Sequence, residues 1–153
     1  KLKIIFPITL FFYIGCKPIE PIEFQEIKNL KIDNLKNNEL IISADIILLN
    51  PNNVKITITK VNVGIYADDI LLVKIDDDKS KELSNSIKST LNVSGDVNVK
   101  NLEEFLNKKG LKLLIGTEKV NLLFKGFVEA KAYGFKDKIE INYSIGNVKD
   151  LIK

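Results

Sequence analysis

Alternation is what most restricts how this chain can fold. Leu40, Ile42, Ala44, Ile46 and Leu48 are spaced two apart, which in a β-strand puts them all on one face. Ile47 and Leu49 add apolar bulk on the other face, so the end of that strand is expected to be covered on both sides. Asn50-Pro51-Asn52-Asn53 then breaks the run, because Pro and Asn form turns through local backbone effects. The next strand starts in one phase with Val54, Ile56 and Ile58 and continues in the opposite phase with Val61, Val63 and Ile65. A change of phase inside one strand requires an extra residue, which predicts a β-bulge near Thr59-Lys60. Asp68-Asp69 turns the chain into a further strand over Ile70–Ile75.

Alternation starts at Leu30 and lasts nearly to the end of the chain, with one interruption. Asp76-Asp77-Asp78-Lys79-Ser80-Lys81 reads as a solvated loop. A long strand is expected next, with Ile87, Leu91, Val93, Val97 and Val99 on one face. The period then changes. Asn101 ahead of Leu102-Glu103-Glu104-Phe105-Leu106, with Gly110 to close, predicts one short capped helix whose buried stripe is Leu102, Phe105 and Leu106. Val120, Leu122, Phe124, Val128 and Ala130 line a strand, and Ile139, Ile141, Tyr143 and Ile145 line the last one. Gly134 and Lys136-Asp137-Lys138 form the hairpin region between them. The sum is an all-β antiparallel β-sandwich with one short helix; an open barrel is the competing arrangement.

Residues 1–16 follow different rules. Lys1 and Lys3 precede an apolar run from Ile4 to Ile14, then Gly15 and the single cysteine, Cys16. A spanning helix needs roughly 20 apolar residues. This run is shorter, contains Pro7 and fits the h-region of a signal peptide. The order charge, apolar run, small residue, cysteine is that of a bacterial lipoprotein signal, with Tyr13 where such signals usually carry Leu. The expected organisation is a signal peptide at 1–15, a lipidated tether at 16–26 and a β-sandwich domain at 27–153. The anchor is lipid on Cys16, with palmitate as the natural label. One fatty chain gives marginal, reversible membrane binding, whereas two or more give stable attachment. Lipoproteins of this kind carry a diacylglyceryl group and usually a third chain, which implies lasting attachment here.

Composition then excludes several functions. The 23 basic residues fall to 21 when Lys1 and Lys3 leave with the signal, against 20 acidic ones. Every basic residue is Lys, whereas specific nucleic-acid recognition leans on Arg forks and basic patches; no nucleic-acid partner is expected. With Cys16 lipidated no disulfide can form, so stability must come from the core. The absence of His and of any other thiol removes the usual transition-metal ligands and the usual base for a serine nucleophile. Ser84, Ser86, Ser89, Thr90 and Ser94 therefore read as strand residues. Asp76-Asp77-Asp78 lacks the glycine and the oxygen count of a calcium loop. Neither an enzyme nor a cofactor is expected. Phe127 has the opposite parity to Phe124; together with Phe105 and Leu106 it either packs under the helix or lines an apolar groove.

The run Ala44-Asp45-Ile46-Ile47-Leu48-Leu49-Asn50-Pro51-Asn52-Asn53 resembles the late-embryogenesis-abundant type 2 family, also called the WHy domain. Val61–Tyr66 before Asp68-Asp69, and Val120–Lys131 with Gly126 in its middle, extend the resemblance over most of residues 22–148. Cys16-Lys17-Pro18 followed by Glu23-Phe24 looks like its lipoprotein subset in Bacteroidetes-type bacteria. The resemblance implies an immunoglobulin- or fibronectin-III-like sandwich without catalytic residues, with Asn50, Pro51 and Asn52 forming a structural turn. It also implies a role in protection under desiccation or stress, or in binding lipids. Two functions follow as expectations. One is a monomeric, non-catalytic envelope lipoprotein with a binding or stress-protective role, its partners being the membrane and a lipid or envelope protein. The alternative is a carrier of a lipid or other apolar ligand between the sheets. By resemblance to enteric lipoproteins, where aspartate after the cysteine retains the protein in the inner membrane, Lys17 at that place implies the outer over the inner membrane in a Gram-negative source.

Overall fold

The structure is a computed structural model and describes residues 19–34, 39–52, 54–83, 87–114 and 119–146. Cys16 and the signal peptide expected at 1–15 lie outside the described residues. Among the described residues eight strands and one helix follow in the order β1 (Glu23–Asn34), β2 (Leu40–Leu49), β3 (Ile56–Ala67), β4 (Ile70–Asp77), β5 (Lys81–Leu83), β6 (Lys88–Asp96), α1 (Val99–Leu114), β7 (Leu122–Ala132) and β8 (Phe135–Ile145). They form an antiparallel β-sandwich. One sheet has the order β1-β2-β6, the other β4-β3-β7-β8, with β5 beside the start of β3. Lettered as in immunoglobulin-type sandwiches, the first sheet is A-B-E and the second C′-C-F-G, with β4 as C′.

The phase change in β3 is a bulge. Ile58 pairs with Ala130 and Lys60 with Glu129, so Thr59 is the extra residue. Its hydroxyl donates to the Glu129 carbonyl at 3.4 Å. The extra residue lets Ile56, Ile58, Val61, Val63, Ile65 and Ala67 all point inward, and all are buried. They meet Ile42, Ala44, Ile46 and Leu48 of β2, Leu91 and Val93 of β6, and Phe124, Val128, Ile139 and Ile141 of β7 and β8 in one core. Gly126 of β7 lies opposite Val63 of β3. A Cβ there would lie 2.0 Å from the Asn62 carbonyl oxygen.

Both sides of the sandwich are closed. Val97 leaves the first sheet and bridges Val73 of β4 in the second. Its N–H donates to the Leu40 carbonyl at 2.8 Å, and that of Asn98 donates to Leu72 at 2.8 Å. The sheets are so close here that a Cβ on Gly95 would meet Val73 Cγ1 at 2.6 Å. On the other side Phe24 of β1 and Tyr143 of β8 stack edge to face at 5.6 Å. The helix covers the outer edge of β4, a position where an open strand would invite pairing with another chain. Asn101 Nδ2 donates to the Leu71 carbonyl at 2.7 Å, and Lys109 Nζ lies 2.6 Å from Asp68 Oδ2.

Several local expectations are corrected. The first strand reaches back into the segment read as a tether, and Ile22 is already buried. Its alternation was hidden by register shifts between Phe24 and Glu26 and between Lys28 and Lys31, which leave Ile27 and Leu30 both facing inward. Asp76 and Asp77 belong to β4, so only 78–80 form the loop; there the Asp77 carboxylate accepts the Lys79 N–H at 3.0 Å. β6 ends at Asp96, leaving Ile87 exposed and Val99 in the helix. Asn98, not Asn101, is the N-cap, its Oδ1 accepting the Asn101 N–H at 3.1 Å. The helix runs through Gly110, since a mid-helix glycine costs only about 1 kcal/mol. Leu106 is half exposed, which leaves Phe105 as the buried residue of the expected stripe.

Gly126→Ala should be among the most damaging single changes outside the apolar core. Forcing β7 away from β3 is expected to cost about 2–3 kcal/mol, read as a lower urea midpoint at unchanged slope.

Candidate functional site

One end of the sandwich gathers the features the sequence singled out. The chain enters there through Ile19–Ile22, β2 hands over to β3 there, and the β7–β8 hairpin turns there. Asn50 is fully buried. Its N–H donates to the Ile87 carbonyl at 2.7 Å, its Nδ2 to the Val54 carbonyl at 2.7 Å, and its Oδ1 accepts the Asn52 N–H at 3.1 Å. Asn52 in turn clamps the incoming chain. Its Nδ2 donates to the Glu20 carbonyl at 2.6 Å, and its Oδ1 accepts the Glu20 N–H at 2.8 Å. The Ile22 N–H donates to Asp137 Oδ2 at 3.2 Å. Asn50-Pro51-Asn52 is thus a turn that also fastens the residues just after Cys16.

Between that entering segment and the β7–β8 hairpin lies a cleft of about 420 Å³. Ile19, Ile22, Ala132 and Phe135 give it an apolar lining, and Glu20, Asn52, Lys136 and Asp137 form its polar margin. The hairpin turn itself is Tyr133-Gly134, with φ of 49° and 84°; Lys136, Asp137 and Lys138 belong to β8. Two positive φ values are those of a type I′ turn, which Asn-Gly suits best. A tyrosine in the left-handed region is strained.

The expected groove of Phe127, Phe105 and Leu106 is not assembled. Phe127 is on the outer face of β7, opposite Asn62, with Lys138 Nζ 4.3 Å from its ring centre. Phe105 lines a smaller pocket with Asp68, Asp69 and Ile70. At about 3.3 Å per residue the run from Asn62 to Asp68 is roughly 20 Å. The opposite parity of Phe124 and Phe127 requires one of them to face away from the core, and that one is Phe127; it is covered by Lys138, which no sequence signal places there, and not by the helix.

A polar cluster lies on the outer face of the first sheet. Asp45 of β2 accepts from Asn29 Nδ2 of β1 at 2.8 Å and from Asn92 Nδ2 of β6 at 3.0 Å. These two donors, with Lys31 nearby, hold the Asp45 carboxyl below the usual carboxylate range. Asn29 reaches it from a left-handed backbone, φ 51°, within the bulged part of β1. The cluster staples three strands together, and its carboxylate is already an acceptor on both oxygens.

No family model matches the chain, and no curated protein is significantly similar to it. Among solved structures it is similar to a crystal structure of a protein from Archaeoglobus fulgidus, with a TM-score of 0.59 at 12% identity, over 80% of this chain and 94% of that one. At this identity the likeness is one of fold.

Three outcomes test the site. Asn50→Ala should lower stability by about 2–3 kcal/mol in urea denaturation, because buried backbone groups lose their partners. Tyr133→Asn should raise it by about 0.5–1 kcal/mol, since Asn tolerates the left-handed turn. Asp45 has a lower pKa folded than unfolded, so its contribution is full at neutral pH and is lost as pH falls through the lowered value. An Asp45→Asn variant should therefore show a flatter acid limb in a plot of urea midpoint against pH.

Proposed function

We propose that this chain is a non-catalytic lipoprotein of the cell envelope, held at a membrane through an acylated Cys16 and serving a binding or stress-protective role. The observation that carries this reading is the order Lys1, Lys3, Ile4–Ile14, Gly15, Cys16, followed almost at once by a folded domain whose Ile22 is buried. Among the described residues no helix is long and apolar enough to cross a membrane. The anchor of this reading is lipid on Cys16, because the run Ile4–Ile14 is shorter than the roughly 20 apolar residues a spanning helix needs. Polar side chains that could suggest chemistry are engaged in structure, as Asn50, Asn52 and Asp45 are. The stress-protective part rests on the resemblance of the Asn50-Pro51-Asn52 run to the late-embryogenesis-abundant type 2 family. Lys17 favours the outer membrane in a Gram-negative source.

A specific observation also bears on the carrier reading. Between the sheets Ile46, Leu48, Ile58, Ile65 and Phe124 are all essentially inaccessible, as in a close-packed interior. The end cleft is the better place for an apolar ligand. Native mass spectrometry of gently extracted protein would separate the two readings, since a carrier should retain a lipid.

The anchor is tested by metabolic labelling with palmitate in the native host. The wild-type chain should take up label and sediment with membranes, and Cys16→Ser should do neither. Equal labelling of both would overturn the proposal.

A further inference from the structure

The end of the sandwich nearest Cys16 has an uneven surface. Ile19, Ile87, Tyr133 and Phe135 are 47%, 65%, 70% and 66% exposed, and all belong to this end. Ile19 and Ile22 enter here, Ile87 is tied to Asn50, and Tyr133 and Phe135 are at the β7–β8 turn. Half-exposed apolar residues scattered singly need no explanation. Here they share one end with an apolar-lined cleft, and Tyr133 keeps its place against the preference of its own turn. A residue held in a strained conformation that a commoner one would fit better points to use rather than to stability.

Chain length says what covers this end. From Cys16 to Ile19 a fully extended chain spans at most roughly 10 Å, and Glu20 and Ile22 are fastened to the domain by Asn52 and Asp137. A lipid on Cys16 therefore holds this end, and no other, within about one headgroup layer of the bilayer. Aromatic rings with one polar edge and aliphatic side chains favour that interface. Charge does not drive the contact: among the described residues Lys55, Lys88, Lys131 and Lys136 are matched by Glu20, Glu23, Glu82 and Asp137 at the same end. We infer that the β7–β8 hairpin tip, Tyr133 and Phe135, with Ile19 and Ile87 beside it, is a membrane-contact surface that seats the domain end-on at the interface of a neutral lipid bilayer. This deepens the anchored reading and takes its geometry from it.

The test uses the full chain, extracted from membranes and reconstituted in vesicles of phosphatidylcholine and phosphatidylethanolamine in equal parts. A Lys136→Cys variant carries an environment-sensitive fluorophore beside the hairpin, and a Glu103→Cys variant carries it on α1 at the far end. Doxyl-labelled phosphatidylcholine should quench the first several-fold more than the second. Adding Tyr133→Asn and Phe135→Thr to the Lys136→Cys chain should bring its quenching down to the Glu103 level, and the urea midpoint shows that the variant is folded. Equal quenching at the two positions, or quenching at 136 that ignores the double change, overturns the inference. Intact mass reports whether Cys16 carries lipid. A lipidated Cys16 with no quenching at 136 overturns the contact surface alone. Hairpin-dependent quenching with an unmodified Cys16 upholds the surface and overturns the anchor.

Discussion

The whole sandwich hangs on one inserted residue. Among the described residues β3 is the only strand with three partners, pairing on one side with both β4 and β5 and on the other with β7. It can bury apolar residues along its full length only because Thr59 is taken out of register. Without the bulge, either Ile56 and Ile58 or Val61, Val63 and Ile65 would face solvent, since a one-residue slip turns every side chain to the other face. Burying a side chain of this type is worth about 1.5–3 kcal/mol, so the loss would rival the net stability of a domain of this size. Gly126 completes the arrangement by letting β7 lie against β3 just beyond the bulge.

With the centre fixed, the edges follow. β4 is blunted by the helix and by the bridge from Val97, and the β1 side is held by the Phe24–Tyr143 contact and the clamp on Ile22. The β8 edge of the second sheet, paired by backbone with β7, is flanked by β1 at these two contacts. The asymmetry that remains is between the two ends. The helix end carries the tight turn at Asp68-Asp69 and the Lys109–Asp68 pair. The opposite end carries the chain entry, the Asn50-Pro51-Asn52 turn, the cleft and the hairpin.

How much of this could be read from residues alone depended on whether a physical rule is local. The alternation of β2, β7 and β8 and the bulge at Thr59 were legible because burial has a period of two and a phase change has one simple cause. β1 is not legible before Leu30 because its own bulges break that period. The helix is legible but its start is not: Asn98 and Asn101 are equally good caps in isolation, and only the bond from Asn101 to Leu71 on β4 assigns the second one elsewhere. Asn50 and Asn52 were legible as a turn, whereas the grip of Asn52 on Glu20 joins residues far apart in sequence. Strand parity singles out Phe127 and the helical stripe singles out Phe105, but neither carries information about position along the sheet.

That last distinction bears on function. Nothing local marks Tyr133 and Phe135, since an exposed aromatic beside Gly reads as an ordinary hairpin. They acquire meaning from the fold, which places their turn beside the chain entry, and from Asn52 and Asp137, which leave almost no slack between entry and domain. A long tether would let the domain tumble and make its surface irrelevant to the membrane. With the proposed lipid on Cys16, a short, clamped one would make a single end face the bilayer continuously, and apolar exposure there would be protected from water and from aggregation in the same contact. On that proposal the strain at Tyr133 is a small stability loss set against a gain that exists only at a membrane, and a soluble fragment would be improved by removing it.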